Sequence, residues 1–402
     1  MKIRSITYFF NPEYPANQKT LHDAGQFASA ARSQFQDAGY EVETVRLATP
    51  PFPGWYNEGH PGAFARDLES AAQTAGYDYI SLGPALPASP RSYTAIPKML
   101  AATQNAFFSG LMTGSQGKVD LAAVRACAEV IQQAANISPD GFANLRFAAL
   151  ANVPPGAPFF PAAYHQGGAP TFALATEAAD LAVQAFSAAS GVEDARRRLT
   201  ASIEDHGQRL EQVAGNLAEQ FGLSFGGIDF SPAPFPESEL SLGTALERLG
   251  APAVGQHGSL SAAALLADIL DSARFPHTGF SGLMLPVLED ATLAARAAQG
   301  LLNVKDLLLY SAVCGTGLDT VPLPGDTSQE QLAGVLLDLA ALAQRLDKPL
   351  TARLMPIPGK AAGDPTNFDF AYFANSRVMA LEAAPLRGAL AGEGSFHLRP
   401  RN

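Results

Sequence analysis

Five short stretches of the chain gather residue types that can do chemistry. In Val313-Cys314-Gly315-Thr316-Gly317-Leu318-Asp319 a thiol stands beside two glycines, with a carboxylate one turn further on. Glycines let a ligand approach the backbone, and free amides in such a turn bind an anion or lower a thiol pKa. Cys314 therefore reads as a nucleophile or acid/base, with Asp319 for proton transfer. A small buried thiol before a glycine turn fits the same letters. In Gly255-Gln256-His257-Gly258-Ser259, a cap by Ser259 or Ser261 would make the next helix an anion seat, with His257 at its rim as acid/base or ligand. An ordinary capped loop with a solvated histidine is the plainer alternative. Asp229 ends an expected strand, where α/β folds display catalytic carboxylates, and Ser231 stands two residues on as a substrate contact; a turn-initiating aspartate is as good a reading. His165, before Gly167-Gly168, is a substrate or metal contact. Arg353 and Lys360 supply two cations near a glycine turn, a clamp for a carboxylate or phosphate.

Several familiar signatures are missing from the letters. There is no HExxH, CxxC or EF-hand loop, so His165, Asp229 and His257 could share a divalent metal only if the fold brought them together. Gly315-Thr316-Gly317 lacks the third glycine of a dinucleotide fingerprint, and neither a phosphate loop nor a GxSxG elbow occurs.

The elements that must position these residues alternate. Strands are expected at 3–10, 41–47, 77–82, 145–151, 171–175, 223–229 and 350–355 from β-branched and aromatic runs. Helices are expected at 18–38, 62–76, 119–135, 177–189, 192–221, 261–273 and 329–346 from apolar residues three to four apart. Strands alternating with long helices predict an α/β sheet or barrel, with the Gly/Pro-rich stretches 153–170, 231–240 and 314–325 as loops that carry chemistry. Phe107-Phe108 and Phe159-Phe160 read as core. No repeat or long linker divides the 402 residues, so one large α/β domain over 1–402 is expected.

Apolar residues make up 47% of the chain and charged ones 16%, enough to fill a large core. A formal charge of −11 repels phosphate backbones and anionic lipid, which argues against nucleic-acid and membrane-surface partners. Two distant cysteines are no secreted disulfide framework, and neither a signal-peptide core nor a membrane span is visible. A cytoplasmic location is expected, and a homodimer is the default assembly.

Together, four segments resemble one family: Lys2 to Thr7, Phe225 to Pro234, Gly255 to Ser259, and Cys314 through Thr327. It is the uncharacterised bacterial and archaeal family 711 of domains of unknown function, also labelled pyruvate formate-lyase-like. The similarity is strongest from about Leu223 to Lys360. The resemblance implies the fold of the glycyl radical enzymes, a ten-stranded α/β barrel of two five-stranded halves with helices outside. Cys314 would then occupy an inner loop with His165, Asp229 and His257 as neighbours. The radical itself is not implied, because Arg377-Val378 continues as Met379-Ala380-Leu381 without the glycine that would hold it, and the adjacent cysteine pair is missing.

The reading that follows is a non-radical enzyme for a small anionic metabolite. Cys314, Asp319, Asp229 and His257 would do its chemistry, and His165, Ser231, Ser259, Arg353 and Lys360 would hold the substrate. Two alternatives stay open: a metal-assisted lyase or hydrolase using His165, Asp229 and His257, with a divalent metal as cofactor, and a metabolite-binding or regulatory protein without turnover.

Overall fold

The computed structural model of the chain describes residues 1–56, 59–114, 117–313 and 315–400. Its amino-terminal part runs β1 (Lys2–Phe9), α1 (Gln18–Asp37), β2 (Val42–Ala48), α2 (Pro61–Thr74), β3 (Tyr79–Ala85), α3 (Arg91–Ala102), β4 (Ala106–Leu111), the short β5 (Val119–Asp120), α4 (Leu121–Ala135) and β6 (Phe147–Ala151). Then follow β7 (Thr171–Glu177), α5 (Ala179–Ser187), α6 (Val192–Phe221), β8 (Ser224–Ala233), α7 (Leu242–Leu249), α8 (Ser259–Ser272), α9 (Ala291–Ala298), α10 (Val304–Ser311), β9 (Gly317–Pro324), α11 (Gln329–Leu346) and β10 (Leu350–Ile357). A last short strand, β11 (Ser395–Phe396), pairs with β5.

Nine strands form one sheet in the order β8-β7-β1-β2-β3-β4-β6-β10-β9. The central five, β1, β2, β3, β4 and β6, are parallel, as crossover helices require. β7 and β10 join this block antiparallel, and β8 and β9 continue them in parallel. Helices cover one face. In β1, Ile6 and Tyr8 join the large helix-facing core, and Tyr8 packs on Phe27 of α1 at 5.0 Å between ring centroids. Asn17 caps α1, and a Ser328/Gln331 capping box starts α11. Alternate residues of β1 point the other way: Phe9 packs with Ala48, Phe107, Phe160, Ala163 and Ala173. The 153–165 stretch therefore runs along the inner face, with Phe159, Phe160 and Ala162 buried in it.

The sheet cannot be flat. Five steps of about 4.8 Å would put β1 and β10 roughly 24 Å apart in an open sheet. Yet Glu289 accepts from Arg4 of β1 at 2.5 Å and from Arg353 of β10 at 2.7 Å, so the sheet curls around its inner face. Residues 276–288 bond to both edge strands. His277 bridges Ile228 of β8, Pro286 bridges Asp319 of β9, and Val287 N–H donates to the Asp319 carbonyl at 3.1 Å. The sheet has nine strands, where the resemblance implies a barrel of ten.

Most expected elements stand within a few residues of their places, but three differences matter. The stretch 314–325, expected as a loop, contains β9, and Asp319 is fully buried within it. Gly, Asp and two prolines are loop formers, yet an edge position in the sheet tolerates them. Helix α3 carries Pro97 in its interior, and β4 surrounds Phe107-Phe108; neither was anticipated. The helices α7, α9 and α10, eight residues each, were also too short to stand out by periodicity.

Candidate functional site

A cavity of about 90 Å³ opens on the inner face, room for several waters or one small metabolite. Arg4, Glu43, Arg46, Tyr79, Asp229 and Arg353 reach it from five different strands, and Phe370 and Tyr372 close it from the carboxy-terminal segment. Charged residues inside a curled sheet must be paired or solvated to persist there.

Much of that pairing is complete. Arg353 donates through Nε to Asp319 Oδ1 at 2.5 Å and through Nη2 to Glu289 Oε1 at 2.7 Å, while its guanidinium lies 5.7 Å from the Phe159 ring centroid. Arg4 donates to the other Glu289 oxygen and to the Pro234 carbonyl. Burial alone would push Glu289 up, but Arg353, Arg4 and Arg46 beside it hold its carboxyl below the ordinary range. Burial prevails at Asp319, which is raised despite Arg353, and its Oδ2 finds no partner among the described residues. Asp229 is also raised by burial, against hydrogen bonds from Ser231 Oγ and from the Ser231, Phe280 and Ser281 amides. It pins the 280–282 turn to β8.

Arg46 differs from the other two arginines. Nε donates to Thr44 Oγ1 at 2.8 Å, and the guanidinium stands over Phe160 and Tyr79 at 5.1 and 5.7 Å. Among the described residues nothing accepts from either of its terminal nitrogens, which leaves the two-pronged end of the fork for an incoming oxyanion. Burial and the neighbouring Arg4 lower its pKa to about 10, so it stays charged at neutral pH. Glu177, at the end of β7, is pushed up to about 8 by burial and by the charge of Glu43, against the opposing pull of Arg4 and Lys2.

The expected site residues divide into those the cavity gathers and those it does not. Asp229, Ser231 and Arg353 line it, and Asp319 stands behind Arg353. Asp229 serves as a buried anchor with its oxygens occupied, and Arg353 as one pole of an ion network rather than a free clamp. Cys314 lies outside the described residues; its neighbour Gly315 packs against Gly282, whose amide donates to Ser231 Oγ at 3.2 Å. His165 is buried in the inner 153–165 stretch, with its pKa lowered by burial and Nε2 without a partner among the described residues, but it does not line the cavity. His257 is exposed on the loop before α8, away from the cavity lining. Ser259 does not cap that helix: Gly258 occupies the cap position, and the Ser259 hydroxyl donates to the Ala253 carbonyl. Lys360 bonds the Pro365 carbonyl in the turn after β10. Among the described residues no three His, Cys, Asp or Glu side chains are grouped to hold a metal, so His165, Asp229 and His257 do not form the set considered for one.

Sequence reasoning missed Arg4, Glu43, Arg46, Glu177 and Glu289. Arg353 interrupts a largely apolar strand, whereas Arg4 and Arg46 stand in strands that also carry Lys2, Ser5, Thr7, Glu43 and Thr44, where a charge does not stand out.

Comparison with known proteins agrees with the span of the resemblance. The family described as "Uncharacterised ACR (DUF711)" matches residues 1–375. A UPF0210 protein of Pyrobaculum aerophilum is 36% identical over 261 residues, covering 63% of this chain and 56% of that protein. One from Methanopyrus kandleri is 30% identical over 372 residues, covering 86% and 81%. One from Listeria monocytogenes is 31% identical over 375 residues, covering 87% and 82%. The match to the Pyrobaculum protein thus spans little more than half of its length, whereas the other two align over most of theirs. With the family matched from the first strand through the aromatic segment that closes the cavity, the chain belongs to the uncharacterised DUF711 family.

Proposed function

We infer that the chain is an enzyme for a small anionic metabolite, bound inside a ten-staved α/β barrel with Arg46 as its anion anchor. The observation that carries this reading is the Arg46 guanidinium, held between Phe160 and Tyr79 with both terminal nitrogens uncommitted in the cavity. A planar fork fixed by aromatic faces loses little freedom on meeting a carboxylate. Tyr79 and Tyr372 line the same space. Closure of the barrel is supported by residues 276–288, which bond β8 on one side and β9 on the other and so act as the tenth stave. The chain would then form one large domain, with inner residues from distant strands meeting across it. The thiol chemistry expected of Cys314 takes no part in this reading.

Calorimetric titration of the purified chain with acetate, pyruvate and inorganic phosphate tests the anchor. Saturable binding of at least one of these in the wild type, weakened at least about tenfold in Arg46→Met, is expected, corresponding to about 1.4 kcal/mol or more. Equal affinity in the two proteins would remove Arg46 from the site. Turnover is tested separately, by following the bound anion by proton NMR. Saturable binding with an unchanged spectrum would reduce the reading to a binding protein.

A further inference from the structure

Arg46 can hold the charged end of a ligand, and the wall around it decides what the rest of that ligand is. Phe107, Leu145, Phe159, Met284 and Phe370 line the cavity with side chains that carry no hydrogen-bonding donor. Each is backed by an apolar cluster. Phe107 packs with Phe9 and Ala48, Phe159 and Met284 with Ala148 and Leu150, and Leu145 with Met355, where Phe370 joins from the edge. The apolar wall begins directly beside the fork. The Phe107 ring lies 5.2 Å from that of Tyr79 and 5.4 Å from that of Phe160, the two rings over which the Arg46 guanidinium stands. Such a wall favours burial of apolar atoms and penalises a hydroxyl or amide brought against it. At about 10–15 Å³ per water-sized group, a cavity of about 90 Å³ takes about six to nine non-hydrogen atoms. Setting aside a carboxylate leaves an apolar body of about three to six carbons.

The lining charges admit one anionic group. Arg4 and Arg353 both pair with Glu289, and Arg353 pairs with Asp319 as well. Asp229 is occupied by the Ser231 hydroxyl and by the Phe280 and Ser281 amides. Glu43 also lines the cavity, from β2, and among the described residues neither it nor Arg46 takes part in an ion pair. A single carboxylate on Arg46 finds its cation. A second anionic group in so small a space would face Glu43 with no cation to offset it.

Resting on the Arg46 anchor, we propose that the ligand is a monocarboxylate with a compact apolar body of about three to six carbons, and that Glu43 excludes dicarboxylates and phosphate dianions. Butyrate and benzoate mark the two ends of that size range. The carboxylate meets the fork, and the body lies against Phe107, Phe159 and Met284.

Calorimetric titration of the full-length chain with acetate, butyrate, hexanoate, octanoate, benzoate and succinate tests this. Affinity should rise from acetate to hexanoate by up to about fourfold per added methylene and level off at octanoate. Benzoate should bind at least as tightly as butyrate. Succinate, with as many non-hydrogen atoms as hexanoate, should bind at least about tenfold more weakly. Glu43→Gln should recover at least about tenfold of succinate affinity and leave hexanoate within about twofold of wild type. Met284→Ala should weaken hexanoate more than acetate, a split that general destabilisation does not produce. Acetate and hexanoate binding equally, or succinate matching hexanoate, overturns the apolar monocarboxylate and leaves the anchor standing if Arg46→Met still weakens binding. Affinity that keeps climbing through octanoate overturns the compact body, and succinate binding unmoved in Glu43→Gln overturns the part given to Glu43. Hexanoate binding unchanged in Arg46→Met, or no binding of any of these anions, overturns the anchor and the proposal together. Should a variant fail to fold, the wild-type comparison of hexanoate with acetate and succinate decides.

Discussion

At the scale of single residues, Glu289 ties β1 to β10 through one carboxylate. Its two oxygens take hydrogen bonds from Arg4 and Arg353, and its side chain is almost completely buried. Replacing it with glutamine keeps the shape but leaves two guanidiniums facing an uncharged partner in a low-dielectric interior. Such a broken buried pair costs about 3–5 kcal/mol, read as a lower urea midpoint at neutral pH; a midpoint unchanged within error would show that solvent screens the network. Its pH signature opposes that of Glu177. Glu289 has a lowered folded pKa, so its contribution is present above the ordinary glutamate value of 4.5 and is lost as pH falls through the folded value. Glu177 is raised to about 8, so between about 4.5 and 8 the native state holds a proton that the unfolded chain has released. Stability then declines as pH rises across that window. Urea midpoints at several pH values should show this decline in the wild type and a shallower one in Glu177→Gln; parallel curves would assign the proton elsewhere. The letters disclosed this site unevenly. Arg353 and Asp319 drew attention because glycines surround their segments, whereas Arg4, Glu43 and Arg46 look like ordinary solvent-facing positions in a strand. They lie on the face that the curl turns into an interior, and curl has no local signature.

At the scale of elements, the long helices were legible and the irregular strands were not. Helix α6 has the bounds its apolar spacing predicts, and α1 and α11 agree to within a residue. Strand β9 hid behind Gly317, Asp319, Pro322 and Pro324, because its conformation is imposed by pairing with β10 rather than by propensity. The glycines of these two elements make the contrast testable. Gly215 sits exposed within α6 with no atom within 4 Å of an added Cβ, so Gly215→Ala should stabilise by about 0.5–1 kcal/mol through the helix propensity of alanine. Gly317 has φ of +101°, and an added Cβ would lie 2.2 Å from the Thr351 carbonyl oxygen of β10. Gly317→Ala combines left-handed strain with a backbone clash and should cost at least about 2 kcal/mol. Thermal unfolding of both variants checks the opposite signs. A harmless Gly317→Ala would mean that β9 does not pack on β10 as described.

At the scale of the whole molecule, the question is how far the curled sheet closes. An open sheet ends in two edges whose outward amides face water, and such amides exchange quickly with solvent. Here the outer side of β8 is engaged, with Ile228 N–H donating to the Pro276 carbonyl at 2.7 Å and Phe230 N–H to Ser281 Oγ. On β9 the Asp319 carbonyl is taken by Val287 N–H. Closure through residues 276–288 therefore predicts that amides of 226–232 exchange as slowly as those of the central strands β2 and β3. Hydrogen–deuterium exchange by mass spectrometry on the intact chain reads this directly. Fast exchange at β8 beside slow exchange at β2 would leave the sheet open at that seam, however strongly it curls. The Glu289→Gln variant adds a test of how the curl is held. If one carboxylate joins β1 to β10 across the interior, its loss should raise exchange in peptides from β1, β9 and β10 together, although Arg4 and Glu289 lie 285 positions apart. An increase confined to the residues around 289 would mean that backbone pairing alone holds the curl, and that the buried charges follow the fold instead of fixing it.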